Sequence, residues 1–209
     1  MSAMVPLFPL NIVVFPGENL NLHIFEPRYK QLINDCIDDK RTFVIPAFVH
    51  QKIELGTEVK IKKVEKVYDD GRMDISTVGL HAVEVLEYKN PQQGKLYAGG
   101  YIKVLENVND ASSTQKYELL ALVKDLFTKI NVDLKIEINE MVTTFEIAHK
   151  IGLSLKQEYK LLSMIKDSDR HDYMISHLNE AIPILQQINE AREKIKMNGH
   201  FRHFDPLDF

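Results

Sequence analysis

The sequence predicts an α+β chain: a small barrel-like β domain holding one short inserted helix, followed by an α-helical bundle. Three observations predict it. Between residues 11 and 105, short β-branched and apolar runs alternate with Pro, Gly and Asp-Gly punctuation, the pattern of a small all-β unit. Inside that region one stretch, Pro27 to about Asp38, switches to helical spacing. Near Asn107 the character changes again, and helical stripes follow. The predicted domains are 1–108 and 109–209.

Asn11 to Phe15 is apolar and β-branched between Pro9 and Pro16-Gly17, and reads as a strand. From Leu20 to Phe25 the pattern alternates, with Leu20, Leu22 and Ile24 on one face and Asn21, His23 and Phe25 on the other. Pro27 suits the first turn of a helix, where its missing N–H is not needed. Tyr29, Leu32, Ile33, Cys36 and Ile37 then form an apolar stripe. Thr42 to Val49 is a strand interrupted by Pro46, which points to an edge or a bulge. Val59 and Ile61 alternate with Lys60 and Lys62, and Asp69-Asp70-Gly71 turns that strand into Met73–Val78 as a hairpin. Leu80–Tyr88 and Leu96–Leu105 read as two further strands, with Asn90-Pro91 and Gly94 in the loop between them.

In the helical half, Ser112 with Gln115 matches a capping box, and Tyr117, Leu120, Val123, Phe127 and Ile130 give the stripe of the helix it starts. A second helix is expected over about Ile138 to Lys150, ended by Gly152. Ser154 with Gln157 caps a third, which turns Tyr159, Leu162 and Ile165 inward. The fourth runs from Ser168 or Asp169 to about Met197. Met174, Leu178, Ala181, Leu185, Ile188 and Ile195 are its stripe, and Pro183 should kink it. Its length is one that coiled-coil pairing uses, and the sequence leaves the oligomeric state open.

Composition bounds the function. The 209 residues are 44% hydrophobic and 27% charged, which fits an ordinary soluble globular protein. No stretch approaches the roughly 18 apolar residues of a membrane span. A net charge of -4 gives no general attraction to phosphate backbones. The single cysteine, Cys36, lies on the stripe of the first helix, where core packing outweighs nucleophilic use. No Lys or Arg precedes Arg28, and Pro6, Pro9 and Pro16 interrupt the opening, so it is not a secretory signal. A cytoplasmic location follows as the expectation.

The motifs of common chemistries are missing. There is no phosphate-binding loop, no Gly-x-Gly-x-x-Gly, no Gly-x-Ser-x-Gly and no His-Glu-x-x-His. His200 and His203, with Asp205 and Asp208, are the nearest approach to a metal set. A docked or mobile tail built on Phe201, Phe204, Leu207 and Phe209 is the simpler reading. We therefore expect no cofactor and no metal. Lys60, Lys62, Lys63 and Lys66, with Tyr68 and Tyr101, are the nearest approach to an RNA surface. Glu54, Glu58, Glu65, Asp69 and Asp70 surround them, so a solvated strand edge is favoured over nucleic acid.

The opening "PLFPLNIVVFPGENLNLHIFEPRY" resembles the start of the Lon substrate-binding domain, the N-terminal domain of Lon-type ATP-dependent proteases. "LGTEVKIKKVEKVYDDGRMDISTVGLHAVEVLE" resembles that family's next segment, with its Gly-Thr step, Asp-Gly hairpin and Gly-Leu strand. The resemblance is strong over about residues 5–105. It is looser over the helical half, where "LSLKQEYKLLSMIKDSDRHDYMISHL" is similar to the end of the Lon N-terminal region.

The resemblance implies a PUA-like β-barrel followed by a helical bundle. The chain ends at Phe209 without an ATPase or Ser-Lys protease module, which implies a stand-alone bacterial Lon-domain protein and no enzyme. The implied function is recognition of unfolded or apolar polypeptides, with Phe15, Phe25 and Tyr29 as contacts. The competing reading for Phe25 and Tyr29 is that they close the barrel against the helix. Glu26, Pro27 and Arg28 are expected to be structural: Glu26 at the helix N-terminus, Arg28 paired with a carboxylate. Alternatives are an RNA-binding PUA-like protein, an adaptor for a separate protease, and a metal-dependent enzyme using His200 and His203.

Overall fold

The computed structural model describes residues 4–49, 52–132 and 142–199. The elements run β1 (Val5–Leu7), β2 (Asn19–Ile24), α1 (Pro27–Asp38), β3 (Phe43–Pro46), β4 (Leu55–Val67), β5 (Met73–Lys89), β6 (Ala98–Val104), α2 (Ser113–Ile130), α3 (Thr144–Ala148), α4 (Leu155–Ser163) and α5 (Asp167–Gly199). They fall into two compact units: residues 4–111 with 142–170, and residues 112–132 with 171–199. The division expected at 108/109 differs from this grouping, because 142–170 contact the sheet-bearing part.

The first unit is built on a six-stranded sheet in the order β2-β5-β4-β3-β1-β6. β6 also pairs antiparallel with the C-terminal half of β5, from Val83↔Val104 to Lys89↔Gly99. The ladders therefore run β5–β4–β3–β1–β6 and return to β5, with β2 attached to the other half of β5. The core holds Phe8, Val14, Ile24, Tyr29, Leu32, Ile33, Phe43, Ile45, Val59, Ile75 and Tyr97. α1 covers it, with Pro27 at the helix start and Tyr29, Leu32, Ile33 and Cys36 turned inward as expected. Ile37, assigned to the same stripe, is exposed instead.

Several strand expectations are corrected. Asn11–Phe15 is not a strand. Val13, Val14 and Phe15 are buried, but their polar groups are met outside any ladder. The Val14 carbonyl accepts the Thr57 hydroxyl, and the Phe15 N–H donates to the Glu18 carboxylate at 2.8 Å. Met73–Val78 and Leu80–Tyr88 are one 17-residue strand, β5, running through Gly79. The strand expected at Leu96–Leu105 is the shorter β6.

β3 lies between β1 and β4 and is not an edge; Pro46 is its last residue. Its ladder with β4 stops at Phe43↔Val59. Among the described residues Lys60–Val67 thus pairs with β5 alone. The Asp69-Asp70-Gly71 turn closes the hairpin as predicted, with Gly71 at φ +77°.

α3 and α4 belong to the first unit. A Thr143–Glu146 capping box starts α3, and Ser154–Gln157 starts α4. The helix expected over Ile138–Lys150 is shorter, ending at Ala148 before a turn in which Gly152 has φ +77°; residues 138–141 lie outside the described residues. In α4 Leu161 and Leu162 are buried, whereas Tyr159 is half-buried and Ile165, beyond the helix, is exposed.

The second unit pairs α2 with most of α5. The Ser112 capping box is formed. Gln115 donates to Asp172 at 2.6 Å near one end of α2, and Asn189 donates to the Lys129 carbonyl at 3.0 Å near the other, so the helices run side by side in the same direction. The buried stripe of α2 is Leu119, Val123 and Leu126, rotated from the expected one; Tyr117 and Ile130 are exposed. In α5 Met174, Ile175, Leu178 and Ile182 are buried, while Ile188 and Ile195 are not. Pro183 lies inside the helix. The tail with His200 and His203 lies outside the described residues.

Candidate functional site

Phe15, Phe25 and Tyr29 do not converge. Phe15 is 0% exposed, its ring against those of Phe145 (5.4 Å between centroids) and His149 (4.8 Å). Tyr29 is 8% exposed and stacks on Phe8 at 3.9 Å. Burial raises its hydroxyl pKa above the ordinary value. Phe25 alone stands at the surface, 58% exposed beside His23, with 6.0 Å between ring centroids. Glu26 is the N-cap of α1 without a side-chain cap bond, and Pro27 opens the helix. Arg28 pairs with Glu26 at 2.8 Å and lies over the Tyr29 ring at 4.4 Å. The opening motif thus fixes the joint between β2 and α1.

A site with room for a ligand lies elsewhere in the first unit. A groove of about 690 Å³ lies between the sheet and the α3–α4 segment. Leu80, Ala82 and Leu105 form one wall; Phe145, Leu162 and Ile165 form the other. Val104 and Ile165 bring 43% and 47% of their surface to solvent, so apolar area is available to a partner. His81, Glu106, Asn107, Thr143, Glu146 and Arg170 are the polar positions along it.

Two polar clusters hold this groove in shape. Arg170, only 2% exposed, donates to Thr144 (3.0 Å), the Met164 carbonyl (2.8 Å), Asn107 (2.5 Å) and Asp167 (3.0 Å), and its guanidinium lies over Phe145 at 4.6 Å. One cation thereby ties the chain leaving β6 to the start of α3 and the end of α4. A buried charge held on so many acceptors is a structural element rather than a free binding group. His149 sits between Glu18 (3.2 Å) and Glu158 (2.7 Å), joining the loop before β2 to α4. Hydrogen bonding to Glu18 outweighs burial and, with Glu158, raises its pKa to about 9.

Other chemistry is tied up. Burial pushes the Cys36 thiol up to about 11, against the pull of Arg41, which leaves it protonated and inert near neutrality. Burial opposes ionisation of Asp35, but hydrogen bonds from Lys95 (2.7 Å) and Tyr97 (2.6 Å) hold its carboxyl below the usual range. Among the described residues no group of three His, Cys, Asp or Glu side chains is placed to hold a metal. Of the strand lysines, Lys62 donates to Asn19 at 3.0 Å, Lys63 pairs with Glu65 at 2.5 Å and Lys66 lies over Tyr68 at 4.3 Å. No helix among the described residues is long and apolar enough to cross a membrane.

Sequence reasoning missed the groove. Its residues come from six separated stretches, and none forms a local motif. The available signal was phase: Val104-Leu105 and Met164-Ile165 place two apolar residues side by side where alternation or a helical stripe would place one.

Comparison with known proteins follows the same line. The chain is similar to a structure titled Lon N-terminal domain protein from Xanthomonas campestris, with 22% identity, TM-score 0.65, and 84% of this chain and 98% of that one covered. It is also similar to the N-terminal domain of Mycobacterium avium complex Lon protease, with 13% identity, TM-score 0.63, and coverage of 85% and 98%. At these identities the likeness is one of fold. No curated protein matches. The family model for the ATP-dependent protease La (LON) substrate-binding domain matches residues 4–188, and the chain belongs to that family.

Proposed function

We propose that this chain is a non-catalytic recognition module that binds unfolded or apolar polypeptide segments in the groove between its sheet and α3–α4. The observation that carries the reading is the apolar character of that groove, about 690 Å³ in volume, with Val104 and Ile165 presented to solvent. The closed run of ladders from β5 through β4, β3, β1 and β6 supports the PUA-like barrel reading and gives the groove a stiff wall. Family membership supplies the general role of substrate binding. The protonated state of Cys36 supports the absence of thiol chemistry.

The energetics suit loose recognition. Each fully buried Leu-sized side chain contributes about 1.5–3 kcal/mol. One or two such side chains, less the cost of ordering a flexible segment, give weak binding that tolerates many sequences. Release to a separate protease, in a bacterial cytoplasm, is compatible with such affinities.

The test is fluorescence anisotropy with labelled β-casein, a chain that stays unfolded in native buffer. Ile165→Asp and Val104→Asp place a carboxylate in the groove at exposed positions. Each should weaken casein binding about tenfold, roughly 1.4 kcal/mol, with near-UV circular dichroism unchanged. Wild-type affinity in both folded variants removes the groove from the reading.

A further inference from the structure

Two strand edges of the first unit differ in one respect. The Lys60–Val67 half of β4 has β5 on one side and, among the described residues, no strand on the other. It carries four exposed lysines, Lys60, Lys62, Lys63 and Lys66, which guard it against pairing with another chain. β2 is the outermost strand of the sheet on the other flank, and among the described residues β5 is the one element that packs extensively along it. Asn19 to Ile24 contains no Lys, Arg, Asp, Glu or Pro and no bulge. Charge, proline and a bulge, three of the devices that blunt an edge, are thus missing from this strand.

The register fixes which groups this edge offers. The Gly79 N–H donates to the Glu18 carbonyl at 2.9 Å, and β2 continues from there as Leu20↔Thr77, Leu22↔Ile75 and Ile24↔Met73. In an antiparallel ladder alternate residues direct both backbone groups to the same neighbour. Leu20, Leu22 and Ile24 therefore bond to β5, and the N–H and C=O of Asn19, Asn21 and His23 point away from it. On the core face Leu20 and Leu22 are only partly buried. At the far end Phe25 stands 58% exposed.

We infer that the free edge of β2 takes an extended polypeptide as an added strand, with apolar side chains at alternate positions that cover Leu20 and Leu22. This rests on the polypeptide-binding reading above and adds a second surface to it. Main-chain hydrogen bonds from Asn19, Asn21 and His23 are indifferent to side-chain identity, and the alternating apolar face selects for segments normally buried in folded proteins. The occupant is a foreign segment rather than a second copy. A six-residue ladder spans only about 20 Å, and two copies joined by it alone fall far short of the roughly 1,600 Å² that a stable interface buries.

The test uses the full chain with labelled β-casein. Asn21→Pro removes one outward N–H without touching the β5 ladder, a change that edge strands tolerate. It should weaken casein binding at least tenfold, while Asn21→Ala, which keeps the amide, stays within about twofold of wild type. On the wild-type chain, amide exchange followed by NMR should show the Asn21 and His23 amides gaining protection when casein is added; this measurement decides if Asn21→Pro fails to fold. Unchanged affinity in folded Asn21→Pro, or no gain in protection, overturns the edge proposal, and the groove reading survives if Ile165→Asp still loses binding. No casein binding by the wild type overturns both. A concentration-dependent dimer that Asn21→Pro abolishes assigns the edge to a second copy and also overturns the proposal.

Discussion

His149 is the residue whose charge state the fold controls most visibly. Its imidazole meets Glu18 through one nitrogen and Glu158 through the other, and its pKa rises from 6.5 to about 9. A raised value means that the folded state holds the proton more tightly than the unfolded state. The contribution to stability is therefore complete below about pH 6.5 and is lost as pH climbs through about 9. His149→Ala should lower the melting temperature most at pH 6, by a few degrees. The gap to wild type should close by pH 10. A gap independent of pH would mean that packing of the ring against Phe15, not its charge, is what matters. Because Glu18 also accepts the Phe15 N–H, the same clamp sets the buried segment before β2.

That segment marks the limit of what local patterns convey at the scale of elements. β2, α1 and the β4–β5 hairpin were legible because each carries its own signal: strict alternation, a Pro27 start with a helical stripe, and an Asp-Gly turn. Asn11–Phe15 has the composition of a strand, yet Thr57 and Glu18 satisfy its backbone from outside any ladder. Only the tertiary fold brings those partners. Gly79 looked like a break between two strands for a similar reason. It is an unbroken part of β5, and it is glycine because the Phe15 carbonyl passes directly over it; a Cβ there would collide with that oxygen. The carbonyl is backbone and cannot swing aside, and the Thr57 methyl lies close by as well. Gly79→Ala should destabilise the chain by about 3 kcal/mol, measured by urea unfolding. A loss under about 0.5 kcal/mol would show that the Val13–Phe15 segment shifts freely. The site was less legible than the fold, since Phe15 and Tyr29 carry the family pattern but are consumed by packing, and the groove draws on residues scattered from Pro16 to Arg170.

At the scale of the molecule, ladders link strands far apart in sequence, and the core gathers side chains from Phe8 to Tyr97. Such a unit has few ways to open in part, because removing β1, β3, β4, β5 or β6 interrupts the run of ladders and uncovers buried apolar side chains. Cys36 reports on this. It is buried in that core, and its thiol is pushed up to about 11. A thiol reagent needs both access and the thiolate, so at pH 8 labelling must await opening of the first unit. With a stability of about 5 kcal/mol or more, labelling should run at least ~10³-fold slower than that of an exposed cysteine. In rising urea the labelling rate should climb in step with loss of the near-UV tyrosine signal, to which the buried Tyr97 contributes. Fast labelling in native buffer with the tyrosine signal intact would mean that α1 lifts from the sheet on its own. The Glu-Pro-Arg-Tyr joint and the edge of β2 would then belong to a mobile lid rather than to a fixed surface.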